Sequence, residues 1–277
     1  METGGASGAF IVIGENIHAT RVVLRAGRHV VERPDGGAAV RFVGDAGEER
    51  LLDVPAAIRA SRDFENGRVK HVAAAITAAM SDDPAASDAG IAYLETLARR
   101  QVRGGADYLD LNVDELSTEV PARCAAMAWL VRTVAGFEAV RANGRALALD
   151  SSSADVIRAG LDAIPAGMAR PLLNSASIER LDVLDLAKGV GCPVIAGASG
   201  RGAMPSGVDD RVENAAAIVE LARGRGLPLS DIHLDALVMP VAVDPEAGTG
   251  YLDAVRILRQ RFGAELHLTG GMSNVSF

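Results

Sequence analysis

Four apolar, strand-like segments of this chain each end in a short polar side chain that can hydrogen-bond a flat heterocycle. The residues at these ends are Asp150, Asn174, Asp235 and Asn274. A carboxylate accepts paired hydrogen bonds from a neighbouring N–H and amino group, whereas a side-chain amide both donates and accepts. Two carboxylates and two amides therefore match the edge of a pterin or a purine ring.

The elements that must position these side chains follow from the spacing of the apolar runs. Apolar runs recur with helical segments between them, which is typical of a parallel β/α barrel whose functional groups gather at the carboxyl ends of its strands. We therefore predict an α/β fold of the TIM-type (β/α)8 kind. Seven strands are predicted, at residues 10–17, 108–113, 146–151, 171–175, 193–198, 231–240 and 265–269.

The segment after the first strand does not fit a barrel. Residues 21–25, 29–32 and 39–43 are rich in β-formers and lie between glycine-rich turns, which predicts a small antiparallel meander. We assign residues 1–277 to a single barrel domain and residues 20–60 to this β-rich insertion. Helices are predicted to follow, the first of them over residues 68–80.

The count of strands bears on barrel closure. Seven strands leave an eight-stranded barrel with two open edges, so the last β/α unit is expected to be missing from this sequence. An absent carboxyl-terminal segment or a second chain could cover the gap, and we favour the absent segment.

The amino-acid composition limits where the protein can act in the cell and which partners it can bind. With 277 residues, 49% of them apolar, the chain can bury a large core, and its formal net charge of -8 argues against a nucleic-acid partner. The amino terminus lacks a signal-peptide pattern, and no apolar run reaches the roughly 18 residues that cross a bilayer. Cys124 and Cys192 lie far apart in the sequence. We expect a cytoplasmic protein with no membrane partner.

Six short motifs occur in a fixed order over nearly the whole chain. They are IGENIH at residues 13–18, GADYLDLNV at 105–113, LDS at 149–151, LNS at 173–175, LD at 234–235 and GMSNVS at 271–276. In this order they resemble the pterin-binding barrels. Within that family the chain most resembles the methyltetrahydrofolate:corrinoid methyltransferases and the folate-binding domain of cobalamin-dependent methionine synthase.

The resemblance implies a role for each polar residue at a strand end. Asp150, Asn174 and Asp235 would bind the pterin edge, with Asp235 as the bidentate partner of the ring N3–H and the 2-amino group. Asn274 would lie near N5, the atom that carries the transferred methyl group, so catalysis is assigned to Asn274 and Asp150. The residues expected to form the floor of the site are Glu15, Asp110 and Asn112.

An amide suits the position near N5. A tertiary amine is a poor leaving group until it is protonated or strongly hydrogen-bonded, and the attacking cobalt(I) needs an unobstructed in-line approach. Asn274 can donate to N5 without placing a fixed charge in front of the metal.

The resemblance also implies the reaction and its partners. A methyl group would move between N5 of methyltetrahydrofolate, or a related pterin, and the cobalt of a separate corrinoid protein. The corrinoid-binding pattern Asp-x-His-x-x-Gly does not occur in the sequence, so cobalamin is expected to come with that partner protein. No Cys/His pair has the spacing of a zinc site, and we expect this chain to bind no metal itself. The homodimeric habit of the family implies a homodimer.

Two alternatives stay open. Dihydropteroate synthase shares the fold, but its pattern places a lysine at the end of strand seven, where this chain has none after Thr269. A pterin-binding protein that transfers no methyl group is suggested by Asn16 and His18, which replace the usual Arg and Asn of the first motif, by Ala236 in place of the usual proline, and by the insertion.

Other polar residues have competing interpretations. His18 is either a ligand-facing group or a locally hydrogen-bonded side chain, and Arg201 either meets a substrate tail or is solvated. Strand alternation points His233 and His267 toward the helices or the barrel interior.

Overall fold

The computed structural model describes residues 10–34, 36–202, 204–240, 242, 246–272 and 274. Contacts within the chain divide it into two compact units. The first unit comprises Met1–Ala148 and Asp162–Ala169, and the second comprises Leu149–Leu161 and Arg170–Phe277.

Strands and helices alternate through most of the described chain. The strands are β1 (Ile13–His18), β2 (Val22–Leu24), β3 (Val30–Glu32), β4 (Ala38–Val43), β5 (Glu49–Asp53), β6 (Arg68–Lys70), β7 (Tyr108–Asn112), β8 (Ala146–Asp150), β9 (Leu172–Ala176), β10 (Val194–Gly197), β11 (Ile232–Asp235) and β12 (His267–Thr269). The helices are α1 (Ala56–Arg59), α2 (Arg62–Glu65), α3 (His71–Ala79), α4 (Pro84–Arg103), α5 (Val120–Gly136), α6 (Glu138–Ala142), α7 (Ala154–Asp162), α8 (Asp182–Val190), α9 (Val208–Gly224) and α10 (Ala247–Phe262).

The largest sheet carries the predicted strand ends. Within the described residues it has seven strands in the order β1-β7-β8-β9-β10-β11-β12, so neighbours in the sheet are also successive members of this set along the chain. The pairs β1/β7, β9/β10, β10/β11 and β11/β12 are parallel. Helices lie between successive strands from β7 to β12, as the connections of parallel strands require. The predicted α/β fold with a parallel sheet is confirmed, whereas barrel closure and a missing last unit stay predictions.

Burial explains why the strands of this sheet are apolar runs instead of alternating patterns. In β8 the first four residues, Ala146 to Leu149, are buried, and in β7 both Leu109 and Leu111 are fully buried. Strands covered on both faces favour such continuous runs. The runs end where polar residues begin, which is why the sequence marks the carboxyl ends of the strands. The predicted strand over 231–240 is the exception, because β11 already ends at Asp235.

The segment between β1 and α3 differs from the predicted meander. Strands β3, β4 and β5 form an antiparallel sheet, and β5 was not predicted. Strand β2 instead pairs with β6, with Val22 opposite Lys70. The helix predicted over residues 68–80 was therefore wrong at its start: Gly67, at φ 76°, turns the chain, the next three residues form β6, and α3 begins at His71. The assignment of one domain with an insertion over residues 20–60 stays a prediction.

None of the helices in the described part of the chain combines the length and apolarity that a bilayer crossing requires.

Candidate functional site

Three of the predicted pterin-binding residues lie at carboxyl ends of parallel strands in the second unit. Asp150 ends β8, Asn174 lies in β9 and Asp235 ends β11, and all three side chains are half-buried. The Ser151 N–H donates to the Asn174 carbonyl at 3.1 Å, which joins the ends of β8 and β9. In β10, Gly197 lies opposite Asp235. The same edge of the sheet thus presents a carboxylate, an amide and a second carboxylate, each partly open to solvent.

The carboxylate of Asp235 has a fixed orientation. Its Oδ1 accepts the Leu237 N–H at 2.8 Å, a bond from a side chain to the backbone two residues ahead that closes a tight turn. The main-chain carbonyl of Asp235 accepts the Ala198 N–H at 2.9 Å. Leu237 takes φ 63°, a left-handed conformation that is unfavourable for leucine. The turn after β11 therefore holds the Asp235 side chain in place, although Leu237 must adopt an unfavourable backbone conformation to do so.

Arg211 lies behind this turn. The arginine is only 4% exposed, and its Nε donates to the Leu237 carbonyl at 3.4 Å while an Nη donates to the Gly207 carbonyl at 3.1 Å. A buried guanidinium needs such acceptors because a charge without hydrogen bonds is costly in the interior. Arg211 thus supports the loop that follows Asp235.

Tyr251 on α10 was not identified from the sequence. Its hydroxyl donates to the Thr269 carbonyl at 2.9 Å, and Thr269 lies opposite Asp235 in the register of β11 and β12. Burial raises the pKa of Tyr251 to about 12, and the negative charge of Asp235 acts in the same direction. The hydroxyl therefore stays protonated near neutral pH and can act as a donor.

Asn274 is exposed, and the contacts described for it are local. Its N–H donates to the Gly271 carbonyl at 2.9 Å, and a Cβ placed on Gly271 would lie 3.0 Å from its Nδ2. The predicted position of Asn274 near N5 stays a prediction. Three residues of the same motif, Ser273, Val275 and Ser276, lie outside the described residues.

A cleft opens beside the ends of β8 and β9. It has a volume of about 500 Å³ and is lined by residues 152–155 and 179–182, and its size falls within the usual range for small-molecule sites. Arg180 fixes one wall, because its guanidinium donates to the Ser151 carbonyl at 3.0 Å and to the Ser175 hydroxyl at 2.8 Å. Arg180 thereby joins this wall of the cleft to the residues that directly follow Asp150 and Asn174. Arg201, the other arginine considered for a substrate tail, is exposed.

The predicted residues of the first unit have a different environment. Asp110 is 1% exposed and Asn112 is 5% exposed, and Asn112 Oδ1 accepts the Asp114 N–H at 3.0 Å. Glu15 is half-buried and pairs with Arg21, whose Nη lies 3.3 Å from its carboxylate and whose Nε donates to its carbonyl at 2.9 Å. The contacts described for Glu15 and Asn112 are thus made with residues of the first unit.

The first motif also contains a close packing contact that the sequence did not reveal. Gln101 of α4 accepts the Asn16 N–H at 3.3 Å, and a Cβ placed on Gly14 would lie 2.2 Å from the same amide oxygen. A side chain larger than hydrogen at position 14 would therefore displace the Gln101 amide from this hydrogen bond. His18 Nδ1 lies 2.6 Å from the Thr20 hydroxyl, in keeping with the locally hydrogen-bonded alternative.

Two histidines of β11 and β12 form a stacked pair. The rings of His233 and His267 lie 4.6 Å apart at 17°, and His233 is 5% exposed. Burial, with a smaller contribution from His267, lowers the pKa of His233 to about 4. His233 is therefore a neutral interior residue at physiological pH.

Comparison with known proteins identifies a family. The model of a family described as pterin binding enzyme matches residues 87–277. The chain belongs to the pterin-binding enzyme family. The family match covers Asp110, Asn112, Asp150, Asn174 and Asp235 as well as the terminal motif, whereas the first motif and residues 20–60 lie before it.

Two curated relatives are similar to part of this chain. A methionine synthase of Mycobacterium leprae (strain TN) is 29% identical over 194 residues, which are 65% of this chain and 15% of that protein. A methylcorrinoid:tetrahydrofolate methyltransferase of Eubacterium limosum is 26% identical over 191 residues, which are 67% of this chain and 66% of that protein. The chain thus spans less than two thirds of the length of either relative. The predicted resemblance to the pterin-binding family is confirmed.

Proposed function

We propose that this protein is a methyltransferase that moves a methyl group between N5 of methyltetrahydrofolate, or a related pterin, and the cobalt of a separate corrinoid protein. The observation that carries the proposal is the set of half-buried Asp150, Asn174 and Asp235 at one edge of the sheet in a chain of the pterin-binding family. The reaction is suggested by a relative whose name describes methyl transfer between a methylcorrinoid and tetrahydrofolate.

Asp235 is the primary anchor of the pterin in this proposal. Its carboxylate would accept the ring N3–H and a hydrogen of the 2-amino group, and these charge-assisted bonds are the strong ones. Since the bond from Leu237 already holds the carboxylate, little side-chain freedom is lost on binding. Asp150 and Asn174 would complete the polar edge. Glu15, Asp110 and Asn112 keep the supporting role that the resemblance implies.

The methyl transfer needs help at N5 of the substrate. As the N5–methyl bond breaks, its electron pair stays on nitrogen, and a hydrogen bond from the Asn274 amide would stabilise the nitrogen as a leaving group. Asp150 would hold the ring in line with the methyl acceptor. A corrinoid, when a partner protein presents it, supplies the cobalt that accepts or donates the methyl group. The chain lacks the sequence pattern that binds a corrinoid, so its own contribution is to bind and orient the pterin.

The experiment that tests the proposal is methyl transfer from methyltetrahydrofolate to free cob(I)alamin, followed by the spectrum of the cobalt. We expect turnover by the unmodified protein, and a loss of roughly a hundredfold in kcat for Asn274→Ala with a much smaller change in folate affinity. Asn214→Ala on α9 is the matched control and should behave as the unmodified protein. Equal losses in affinity and turnover would make Asn274 a binding residue only.

The second candidate is a pterin-binding protein that transfers no methyl group. It is favoured by the first motif, where Asn16 is exposed and His18 contacts Thr20. Folate binding without any change in the cobalt spectrum would establish this candidate. The homodimer and the cytoplasmic location stay predictions.

A further inference from the structure

The hydroxyl of Tyr251 ties helix α10 to the end of the last described strand. It donates to the carbonyl of Thr269, the final residue of β12, at 2.9 Å. Thr269 lies opposite Asp235 in the parallel register. A phenylalanine ring could fill the same space as the ring of Tyr251. The specific contribution of the hydroxyl is therefore its hydrogen bond to the end of β12, opposite Asp235.

The residue after Thr269 makes this approach possible. A Cβ placed on Gly270 would lie 2.5 Å from the Tyr251 hydroxyl oxygen and 2.9 Å from the ring carbon that bears it. Both distances are shorter than real contacts of a Cβ. Gly270 is not among the glycines with positive φ, so the need for glycine here is steric. The two shortest distances are to Tyr251, and the Cε of Met272 follows at 3.0 Å. Tyr251 and Gly270 therefore form a matched pair.

The environment keeps the hydroxyl in its donating form. Burial raises the pKa of Tyr251 to about 12, and the charge of Asp235 adds to the effect. Because the Asp235 carboxylate contributes to this shift, the phenol and the carboxylate interact electrostatically. The bond to Thr269 is therefore present across the pH range in which the protein would work.

We propose that Tyr251 is a positioning residue of the pterin site, and that its hydroxyl fixes the end of β12 and the Gly270–Gly271 segment leading to Asn274 beside the Asp235 carboxylate. This inference rests on the proposed function, since it concerns the same site. Tyr251 acts through the backbone of Thr269 and Gly270. Its loss should therefore disturb the placement of Asn274 during turnover more than the ground-state affinity of Asp235 for the pterin.

The first test removes only the hydroxyl. In the cob(I)alamin assay, Tyr251→Phe should lower kcat about tenfold and leave KM for methyltetrahydrofolate within about twofold, because misplacement of a catalytic group reduces turnover before it reduces binding. The midpoint of thermal unfolding serves as the control for a general structural role. A lower midpoint with unchanged kcat and KM would overturn the proposal.

The second test exploits the matched pair. Gly270→Ala should lower kcat about a hundredfold in the unmodified protein, because the new methyl group displaces the phenol. In a Tyr251→Leu background, which lacks the clashing atoms, the same Gly270→Ala change should cost less than about threefold more. Effects that simply multiply in the double variant would show that Gly270 and Tyr251 act independently.

A readout that needs no catalysis separates this inference from the proposed function. Folate should protect the amides of residues 267–272 from hydrogen exchange in the unmodified protein, and Tyr251→Phe should abolish that protection while the amides of α9 are unaffected. If the protein binds folate without transferring methyl groups, the proposed reaction fails and this exchange result alone decides the role of Tyr251. Unaltered protection in Tyr251→Phe would overturn the inference even if Asp235→Ala abolishes binding.

Discussion

Asn112 of the first unit and Asp235 of the second unit end parallel strands in the same local way. In each case the side-chain oxygen accepts the N–H two residues ahead, from Asp114 at 3.0 Å and from Leu237 at 2.8 Å. The burial of the two side chains differs, since Asn112 is 5% exposed while Asp235 is half-buried. The same turn therefore follows a buried side chain in one unit and a partly exposed side chain in the other.

The chemical type of each residue fits its burial. An amide can be buried at modest cost when it is hydrogen-bonded, whereas an ionised carboxylate loses far more solvation and needs close partners. Asp110, which is 1% exposed in β7, is thus a group whose interactions must come from the protein. Polar residues at strand ends are consequently of two kinds, and burial distinguishes them better than residue type.

The largest expected effect tests whether burial lowers the pKa of a histidine to the same extent in both units. His71 of the first unit is half-buried and His233 of the second is buried, and desolvation is the main cause that lowers the pKa of each to about 4. For His71 the charges of Arg21 and His29 act in the same direction, and the ring contacts the Tyr93 hydroxyl at 2.9 Å. Because the unfolded chain binds a proton near pH 6.5 and the folded chain only near pH 4, stability is complete above pH 6.5 and falls as the pH drops through this window. The loss should approach about 3 kcal/mol for each histidine.

Urea unfolding between pH 4 and pH 8 measures this loss. His71→Asn or His233→Asn should each remove about one proton from the slope of stability against pH, and the unmodified protein, unfolded at the same pH values, is the control. A flat profile across the window would show that the interior of neither unit penalises charge.

The next effect concerns the half-buried carboxylate. Asp235→Ala should weaken tetrahydrofolate binding by roughly 2 to 4 kcal/mol, because it removes a charge-assisted bidentate contact. Calorimetry measures the affinity, with Asp253→Ala on α10 as an exposed carboxylate control. Unaltered affinity in Asp235→Ala would remove the distinction between the two strand ends and with it the proposed pterin anchor.

The strand ends were predictable because their signal is local. The apolar runs that stop at Asp150, Asn174 and Asp235 are visible in a few consecutive residues, and burial of the strands on both faces produces them. The same local signal does not show which ends are buried, so Asp110 and Asn112 could not be told from the others.

The contacts that the sequence did not reveal join distant residues. Tyr251 lies 18 residues from Thr269, and Gln101 lies 85 residues from Asn16. Nothing in the helical pattern of α10 or α4 marks either side chain as a partner of a strand end. In the sequence these contacts are marked locally by Gly270 and Gly14, the glycines that the two side chains approach. A glycine by itself does not identify the side chain that packs against it. Strand β6 was not predicted because it has only three residues directly before a helix, which is too short for an alternation of polar and apolar residues to be recognised.

A pair of amides gives the third effect. Asn112→Ala leaves the part-buried Asp114 N–H without its acceptor and should lower the free energy of unfolding by about 1 to 2 kcal/mol. Tetrahydrofolate affinity should change less than about threefold. Asn174→Ala, at the half-buried amide of the second unit, should weaken tetrahydrofolate binding and change the free energy of unfolding only slightly. Urea unfolding and calorimetry on the two variants give both quantities. A large affinity loss in Asn112→Ala with little change in stability would mean that burial does not separate the two classes.

The smallest effect probes the turn that makes Asp235 available. Leu237 takes φ 63° and is the one non-glycine residue with positive φ within the described chain. Asparagine tolerates this left-handed conformation better than leucine and keeps the N–H that Asp235 accepts, so Leu237→Asn should raise the free energy of unfolding by about 0.5 to 1 kcal/mol. Asp114→Asn at the corresponding position of the first unit, where no positive φ occurs, should give no such gain. Since the turn holds the carboxylate, folate affinity should be retained in Leu237→Asn. A loss of both stability and affinity would instead show that packing of the Leu237 side chain, and not the backbone turn, holds Asp235 in place.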